Sequence, residues 1–190
     1  RTYLAERAKL ISTTRSMGTA VAGVFPGFVP LGSSAQEGKG TTHMSIVDKY
    51  GNAVSMTTTI ESGMGSFHFT RGFLLNNQLT DFSFDPSDAA GPIANRIQAN
   101  KRPRSSMAPT LVFARNADGS RGDFVMATGS PGGATIIQFV TKTLVSALDW
   151  KLDAQQATSM VNFGAANSAT TGIGGEHPSI NAANNGNDDT

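Results

Sequence analysis

The sequence contains no cysteine, and this absence excludes three kinds of chemistry at once. A disulfide framework, a thiolate zinc site and a cysteine nucleophile all require that residue. The three histidines, His43, His68 and His177, are scattered along the chain and share no metal-ligand spacing. Because structural and catalytic zinc sites usually draw on closely spaced ligands, we expect no metal centre.

The sequence also lacks a long hydrophobic run. Its most apolar stretch, residues 136–148, is interrupted by Gln138, Thr141, Lys142 and Thr143. A membrane-spanning helix needs about 20 predominantly apolar residues, so we expect no membrane span in this chain. With 190 residues, the chain is long enough to form one hydrophobic core.

Charge is scarce as well. Charged residues make up 15% of the sequence and the formal net charge is +1, whereas soluble domains usually contain about 25% charged residues. The dense basic run from Lys101 to Arg104 is not part of a broader basic stripe. We therefore interpret it as a short solvated or ligand-facing loop and expect no nucleic-acid partner.

The two ends of the sequence differ in composition from its centre. Residues 2–12 have helical composition, and their apolar positions lie on one face. Residues 17–40 are rich in glycine and proline and are interpreted as an exposed connector. The polar residues from 163 onward predict a surface loop or a segment separated from its packing partners. The chain opens on Arg1 rather than methionine, so we expect it to be part of a longer protein.

Two alternating segments, residues 41–48 and 52–60, predict a β-hairpin. The loop between them ends in Gly51, the position that commonly has a positive φ in a three-residue hairpin loop. This register sets apolar residues opposite apolar ones, as a half-buried sheet requires. It also places the threonines at both ends on one face, with Cβ atoms about 5 Å apart. Counting outward from the turn pairs Asp48 with Asn52, Met44 with Met56 and Thr41 with Thr59.

The centre and the second half of the chain predict short strands and two helices. Asp153 is placed to cap the second helix, which we expect to end near Met160. The other predictions are strands at residues 73–75, 110–114 and 123–128, a loop at residues 86–103, and a helix at residues 134–148.

A threonine nucleophile is the catalytic chemistry that the hairpin suggests. Ser130 does not stand in a G-x-S-x-G motif, and the chain has no Ser-x-x-Lys motif. A threonine at a new N-terminus can use its own α-amine as the base, with a pKa of roughly 8. Cleavage between Gly40 and Thr41 would create such a terminus, since glycine leaves its carbonyl open to the Thr41 hydroxyl. On pattern alone, an ordinary edge strand entered from a loop is the commoner case.

Four motifs then resemble one family in order and spacing. They are TTHMSIVDKYGNAVSMTTTIE, LLNNQLTDF, KRPRSSMAPT and ATGSPGG, within residues 41–147. Together they resemble the small subunit of the γ-glutamyltransferases, and residues 1–40 resemble the end of the large subunit. Residues 41–190 then correspond to the small-subunit region, truncated at its C-terminus. The resemblance implies an α+β fold, the four-layer αββα sandwich of the N-terminal-nucleophile hydrolases.

The resemblance also assigns catalytic roles by position. It makes Thr41 the nucleophile, freed by self-cleavage after Gly40, and makes its amine the general base. It makes Thr59 a hydrogen-bond partner that assists the nucleophile and self-cleavage. Gly132 and Gly133 match the oxyanion hole, which suits backbone N–H groups near a helix N-terminus. Without the family, the glycine-rich segment would be a plain strand-to-helix turn, and no Gly-Lys-Ser/Thr follows it to bind phosphate.

The substrate-binding residues are assigned in the same way. Glu61, Gln78 and Asp81 match positions that bind the α-amino group of a γ-glutamyl donor, and two carboxylates with an amide suit an ammonium group. Ser105 and Ser106 match the pair that binds the α-carboxylate of the donor. Without the resemblance, we would interpret the acidic group as a solvated loop.

The implied reaction is attack by Thr41 on a γ-glutamyl amide such as glutathione, which gives a γ-glutamyl ester. Water or an acceptor amine then takes the acyl group, and neither a metal nor an organic cofactor is needed. The implied partner is the large subunit of the same precursor, which contains the family's carboxylate-binding arginine. The isolated fragment is therefore expected to be inactive, and the family implies a periplasmic or secreted location.

Three alternatives stay open. A cephalosporin or glutaryl acylase would use the same Thr41 chemistry, although Glu61, Gln78 and Asp81 argue against it because a glutaryl group has no ammonium. An unprocessed, non-catalytic homologue would serve as a binding module. A nucleotide-binding module built on the segment GSPGG is the third alternative.

Overall fold

The computed structural model describes residues 2–21, 23–24, 27, 40–164 and 172–174. Within them the chain forms three α-helices, two short 3-10 turns and five antiparallel strand pairs. The helices are α1 (Thr2–Ala8), α2 (Ile136–Leu148) and α3 (Ala154–Ser159). The strands are β1 (Gly40–Val47), β2 (Ala53–Glu61), β3 (Phe69–Thr70), β4 (Phe73–Leu74), β5 (Ser87–Asp88), β6 (Gly91–Pro92), β7 (Thr110–Arg115), β8 (Arg121–Thr128), β9 (Asn162–Gly164) and β10 (Gly172–Gly174).

The predicted β-hairpin is confirmed in β1 and β2. Met44 pairs with Met56 as expected. The turn closes through Asp48, whose backbone N–H donates to the Asn52 carbonyl at 3.0 Å. Gly51 has the predicted positive φ, at 83°. Hydrogen bonds from Asn52 and from the turn backbone to the Asp48 carboxylate lower the pKa of Asp48 below its ordinary value.

The faces of this hairpin are reversed relative to the prediction. Its polar face packs towards β7 and β8, where the Ser55 hydroxyl donates to the Thr128 carbonyl at 2.9 Å and accepts from the Thr110 N–H at 3.1 Å. The prediction that the apolar side is the buried side is wrong for the described part of the chain. The reason is that the Ser55 side chain on the polar face finds backbone partners on both β7 and β8. On the opposite, apolar face, the side chains of Met44, Ile46, Val54 and Met56 are exposed.

The second hairpin, β7–β8, forms where two strands were predicted. It is held partly by side chains, since the rings of Phe113 and Phe124 meet edge to face at 5.9 Å. The Arg121 guanidinium lies over the Phe113 ring at 4.8 Å. Pairing is irregular on both sides of Phe113.

Helix α2 begins later than predicted. A 3-10 turn at Gly133–Thr135 comes first, and α2 follows from Ile136. The helix packs against α3 and β9. The Lys142 ammonium is buried and donates to the Met160 carbonyl at 3.0 Å, which ties α2 to the end of α3. Among the described residues, the buried apolar side chains are Phe82, Ile93, Ile136, Val140 and Ala157.

The structure differs from several smaller predictions. The strand at 73–75 is limited to β4, and the loop at 86–103 contains the short pair β5–β6. Strands β9 and β10 pair within the polar C-terminal region, which was not predicted. Helix α1 is shorter than the predicted helix and buries no residue. Most of the predicted connector at 17–40, and residues 165–171 and 175–190, lie outside the described residues.

The described residues therefore mix helices with antiparallel strands, as an α+β fold does. The four-layer sandwich stays a prediction. Across the described part of the chain, no helix is long and apolar enough to cross a membrane.

The N-terminus of α3 yields a stability prediction. Asp153 forms a capping box, accepting from the Gln156 N–H at 2.8 Å while the Gln156 side chain accepts from the Asp153 N–H at 3.1 Å. We expect Asp153→Ala to lower the free energy of unfolding by about 1 kcal/mol. The Gln156 N–H would lose its acceptor, and the reciprocal hydrogen bond of the capping box would lose its support. Urea denaturation of the chain measures this change. Asp153→Asn is the control, since asparagine caps nearly as well, and equal losses in both variants would contradict the capping role.

Candidate active site

One open pocket gathers residues from all four sequence motifs. It encloses about 300 Å³ of space, including open solvent at its mouth. Eight of the predicted site residues line it, although they are widely separated in the sequence. The lining residues are Thr41, Thr59, Glu61, Gln78, Asp81, Arg104, Ser105, Ser106, Met107, Gly133 and Ile136.

A β-bulge places Thr41 at the edge of this pocket. Thr42 pairs with Thr58, whereas Gly40 pairs with Glu61, so two residues of β2 lie opposite Thr41. The predicted direct pairing of Thr41 with Thr59 is therefore replaced by a bulge. An extra residue in one strand bends it and redirects its side chains. Glu61 completes the bulge with a positive φ of 73°, a conformation that non-glycine residues rarely adopt.

Only glycine fits at position 40 of this bulge. A Cβ added to Gly40 would lie 2.4 Å from the Glu61 carbonyl oxygen, and both groups belong to paired backbones. Neither strand can move away cheaply, because each is fixed by the hairpin hydrogen bonds. The two backbones therefore meet more closely than side chains would allow.

The Thr59 hydroxyl lies on the carbonyl of the Gly40–Thr41 peptide bond. It donates a hydrogen bond to the Gly40 carbonyl oxygen and accepts one from the Glu61 N–H at 2.7 Å. A hydroxyl has a single proton, so in this arrangement Thr59 donates to Gly40 rather than to the Thr41 hydroxyl. The contact polarises the carbonyl that the predicted self-cleavage attacks.

Two acidic side chains are buried at the pocket wall. Glu61 is 8% exposed and Asp81 is 5% exposed. The 3-10 turn Gln78–Asp81 brings its end residues together, because side chains three apart eclipse in that geometry. The Gln78 amide donates to one carboxylate oxygen of Asp81. The other oxygen, Oδ1, is buried and accepts no hydrogen bond within the described part of the chain.

Asn95 joins the acidic turn to the serine segment. Its side-chain N–H donates to the Asp81 carbonyl at 2.5 Å, and its side-chain oxygen accepts from the Arg104 N–H at 3.0 Å. Asn95 is buried, so both ends of its amide are satisfied inside the protein. This residue positions the walls that carry Asp81, Ser105 and Ser106. The sequence offered no signal for it, because it stands in a stretch that resembles an ordinary loop.

Arg104 is another pocket residue that the sequence did not predict as part of the site. It lines the pocket beside Ser105 and Ser106 and is only partly exposed. The basic run was interpreted as a solvated or ligand-facing loop; in the structure Arg104 lines the pocket, whereas Arg102 is exposed. The pocket is therefore lined by an arginine as well as by two acidic residues.

The glycine-rich turn forms a third side of the pocket. Gly132 and Gly133 both have positive φ, at 137° and 54°. A Cβ on Gly132 would lie 2.7 Å from the Phe139 ring. Gly133 lines the pocket, whereas Gly132 lies next to it without lining it. The Thr135 hydroxyl and N–H both donate to the Gly132 carbonyl, at 2.7 and 3.1 Å, and fix the turn at the start of α2.

The pocket has no arrangement that suits a metal ion. Among the described residues, no group of three or more histidine, aspartate or glutamate side chains could hold one. The residues that line the pocket instead have hydroxyl, carboxyl, guanidinium and amide side chains. Such a set can bind a small zwitterion and supply an oxygen nucleophile.

Comparison with known proteins agrees with this arrangement. The sequence model of the γ-glutamyltranspeptidase family matches residues 1–179. The chain belongs to this family. The glutathione hydrolase proenzyme of Escherichia coli is 41% identical over 134 residues, which cover 67% of this chain and 22% of that protein. The Bacillus subtilis proenzyme is 42% identical over 119 residues, covering 62% of this chain and 18% of that protein. The chain thus spans about a fifth of the length of these relatives.

Solved structures of this γ-glutamyltranspeptidase family are also similar. A mutant of the Helicobacter pylori γ-glutamyltranspeptidase shares 38% identity with a TM-score of 0.59, covering 70% of this chain and 72% of that chain. The Pseudomonas nitroreducens enzyme, complexed with L-DON, shares 36% identity with a TM-score of 0.55, covering 65% of each chain.

The close approach at Gly40 gives a testable consequence. We expect Gly40→Ala to cost about 1–3 kcal/mol of unfolding free energy, because its Cβ overpacks a fixed backbone. Amide hydrogen exchange should become faster at the Gly40 end of the hairpin and stay unchanged near the turn. Gly63→Ala is the matched control, since nothing lies within 4 Å of a Cβ at that position. Unchanged exchange in Gly40→Ala would show that the strands separate without cost.

Proposed function

We propose that this chain carries the nucleophile and donor-binding residues of a γ-glutamyltransferase, or glutathione hydrolase, formed by self-cleavage between Gly40 and Thr41. The observation that carries the proposal is the pocket itself. It unites Thr41 with Thr59, with the acidic pair and with the two serines. No simpler role requires all of these groups to meet at one place.

Self-cleavage would begin at the Gly40 carbonyl. The Thr41 hydroxyl attacks the carbonyl carbon, a C–O bond forms, and the C–N bond to Thr41 breaks. The leaving nitrogen takes the hydroxyl proton and becomes the free α-amine of Thr41. Water then hydrolyses the Gly40 ester. The hydrogen bond from Thr59 to the Gly40 oxygen supports this step, because negative charge develops on that oxygen during the attack.

Acyl transfer would reuse the same hydroxyl. The Thr41 amine accepts the hydroxyl proton while Thr41 attacks the γ-carbonyl of the donor, and the departing amine takes the proton. Backbone N–H groups at Gly132 and Gly133 are proposed to stabilise the oxyanion. Water or an acceptor amine then attacks the γ-glutamyl ester and releases Thr41.

The charges of the pocket suit the zwitterionic end of a γ-glutamyl donor. Glu61, Gln78 and Asp81 would bind the α-amino group, and Ser105 and Ser106 the α-carboxylate. The buried Asp81 Oδ1 supports this assignment, since an ammonium N–H would give it a hydrogen-bond partner. The same feature favours a γ-glutamyl donor over the glutaryl donor of an acylase.

The wider assignments follow from the same proposal. Residues 1–40 would be the end of the large subunit and residues 41–190 a part of the small subunit. The large subunit of the precursor would be the partner, and the complete protein would have the four-layer αββα fold. A periplasmic or secreted location and independence of metals or organic cofactors belong to this proposal as well.

Self-cleavage is tested on the complete precursor by intact mass and N-terminal sequencing. We expect a new chain that begins Thr41-Thr42-His43 and that is absent from Thr41→Ala. Thr41→Ser is the matched control, since it keeps a hydroxyl and should still be cleaved. An uncut wild-type precursor would favour the non-catalytic homologue and overturn the proposal.

Donor recognition is tested at Asp81. We expect Asp81→Asn to lower kcat/KM for γ-glutamyl-p-nitroanilide by roughly 10- to 100-fold, mostly through KM, because a charge-assisted hydrogen bond to the donor ammonium is lost. Activity on glutaryl-p-nitroanilide, which lacks the amine, should be low in the wild type and unchanged in the variant.

The control for this experiment is Asp85→Asn, which alters an exposed aspartate close by in the sequence. Its kinetic constants should match the wild type. If Asp81→Asn affected the glutaryl and γ-glutamyl substrates equally, the ammonium role would be wrong.

A further inference from the structure

We propose that His43 is a positioning residue that holds the turn bearing Gly132 and Gly133 in place relative to Thr41. This inference rests on the proposed function, because it concerns the geometry of that reaction. It concerns a residue on the nucleophile's own strand that contacts neither pocket nor substrate in the proposed mechanism.

The His43 ring is fixed from both of its nitrogens. His43 lies directly opposite Thr57 in the hairpin, and its Nδ1 lies 2.9 Å from the Thr57 hydroxyl. Its Nε2 lies 3.0 Å from the Ser45 hydroxyl. Burial lowers the pKa of His43 below its ordinary value, which favours the neutral form of the ring. A neutral imidazole donates from one nitrogen and accepts at the other, and a hydroxyl can serve either role.

The ring fills the space beside Gly129. A Cβ added to Gly129 would lie 2.1 Å from Cε1, 2.3 Å from Nδ1 and 2.6 Å from Nε2 of His43. Gly129 is not among the glycines with positive φ, so its backbone conformation does not require glycine. Glycine is needed here for lack of space, because the His43 imidazole occupies the volume that a Cβ at position 129 would need.

Gly129 directly follows the last residue of β8 and begins the glycine-rich turn. Thr128, the last residue of β8, is fixed to the same hairpin by the hydrogen bond from Ser55 to its carbonyl at 2.9 Å. The turn then continues to Gly133, which lines the pocket together with Thr41. His43 on β1 and Ser55 on β2 thus connect the hairpin that carries Thr41 to the start of the turn.

The same hydrogen bonds make His43 unsuited to act as a general base. Both ring nitrogens are engaged with Thr57 and Ser45, on the side of the hairpin that faces β8. The ring therefore acts through its contact with Gly129 and fixes the distance between Thr41 and the glycine-rich turn. A displacement of about 1 Å in an active site can cost 100-fold in rate, so a contact of this kind affects turnover more than binding.

The test is a double-mutant cycle in the complete precursor, with γ-glutamyl-p-nitroanilide as the substrate. We expect Gly129→Ala to lower kcat about 10- to 100-fold with KM nearly unchanged, because the new Cβ displaces the turn. His43→Ala should lower kcat about 10-fold by loosening the contact. In the His43→Ala background, Gly129→Ala should cause no further loss or should restore kcat, since the Cβ enters the vacated space.

Two further variants separate positioning from folding. His43→Gln keeps most of the bulk and one hydrogen bond, so its kcat should lie between those of the wild type and His43→Ala. Gly63→Ala, at an open position, should match the wild type. If Gly129→Ala does not fold, the double variant should restore folding as well as turnover, and a double variant that restores neither overturns the inference.

The outcomes distinguish the two proposals. A wild-type precursor that fails to turn over the substrate would refute the proposed function. An active wild type with additive losses in the double variant, or with losses expressed mainly in KM, would refute the positioning role and leave the proposed function in place.

Discussion

The site depends on one constraint, the close approach of the Gly40 and Glu61 backbones at the end of the first hairpin. That contact is available only to glycine, and it forces the bulge that places two residues of β2 opposite Thr41. The bulge in turn brings the Thr59 hydroxyl onto the Gly40 carbonyl and leaves Glu61 with a positive φ. One missing side chain therefore determines the geometry of the proposed nucleophile Thr41, of the Thr59 hydroxyl and of the buried Glu61 side chain.

The walls of the pocket illustrate a conflict between stability and binding. Burying a carboxylate without full compensation destabilises a fold, yet Asp81 is almost completely buried with one oxygen that has no partner within the described residues. The Asn95 amide holds the surrounding backbone rigidly enough to keep the carboxyl group there. A preorganised group of this kind costs stability in the empty protein and recovers it when a cation binds.

The sequence was informative where the determining interactions are local. The hairpin register followed from the turn at Gly51 and from simple alternation, and the cap at Asp153 followed from one residue type before a helix. The bulge was not predictable, because it depends on two backbones that meet only in the folded chain. Asn95 was missed for the same reason, since its two partners belong to different segments. The buried face of the hairpin was predicted wrongly, because alternation marks two faces without saying which one β7 and β8 cover.

The small buried core has a thermodynamic consequence. Among the described residues only five apolar side chains are buried, while Met44, Ile46, Val54 and Met56 already contact solvent. The heat capacity change of unfolding and the denaturant m-value both scale with the surface that unfolding newly exposes. Both quantities should therefore be small for this chain by itself, and its transitions with temperature and with urea should be broad.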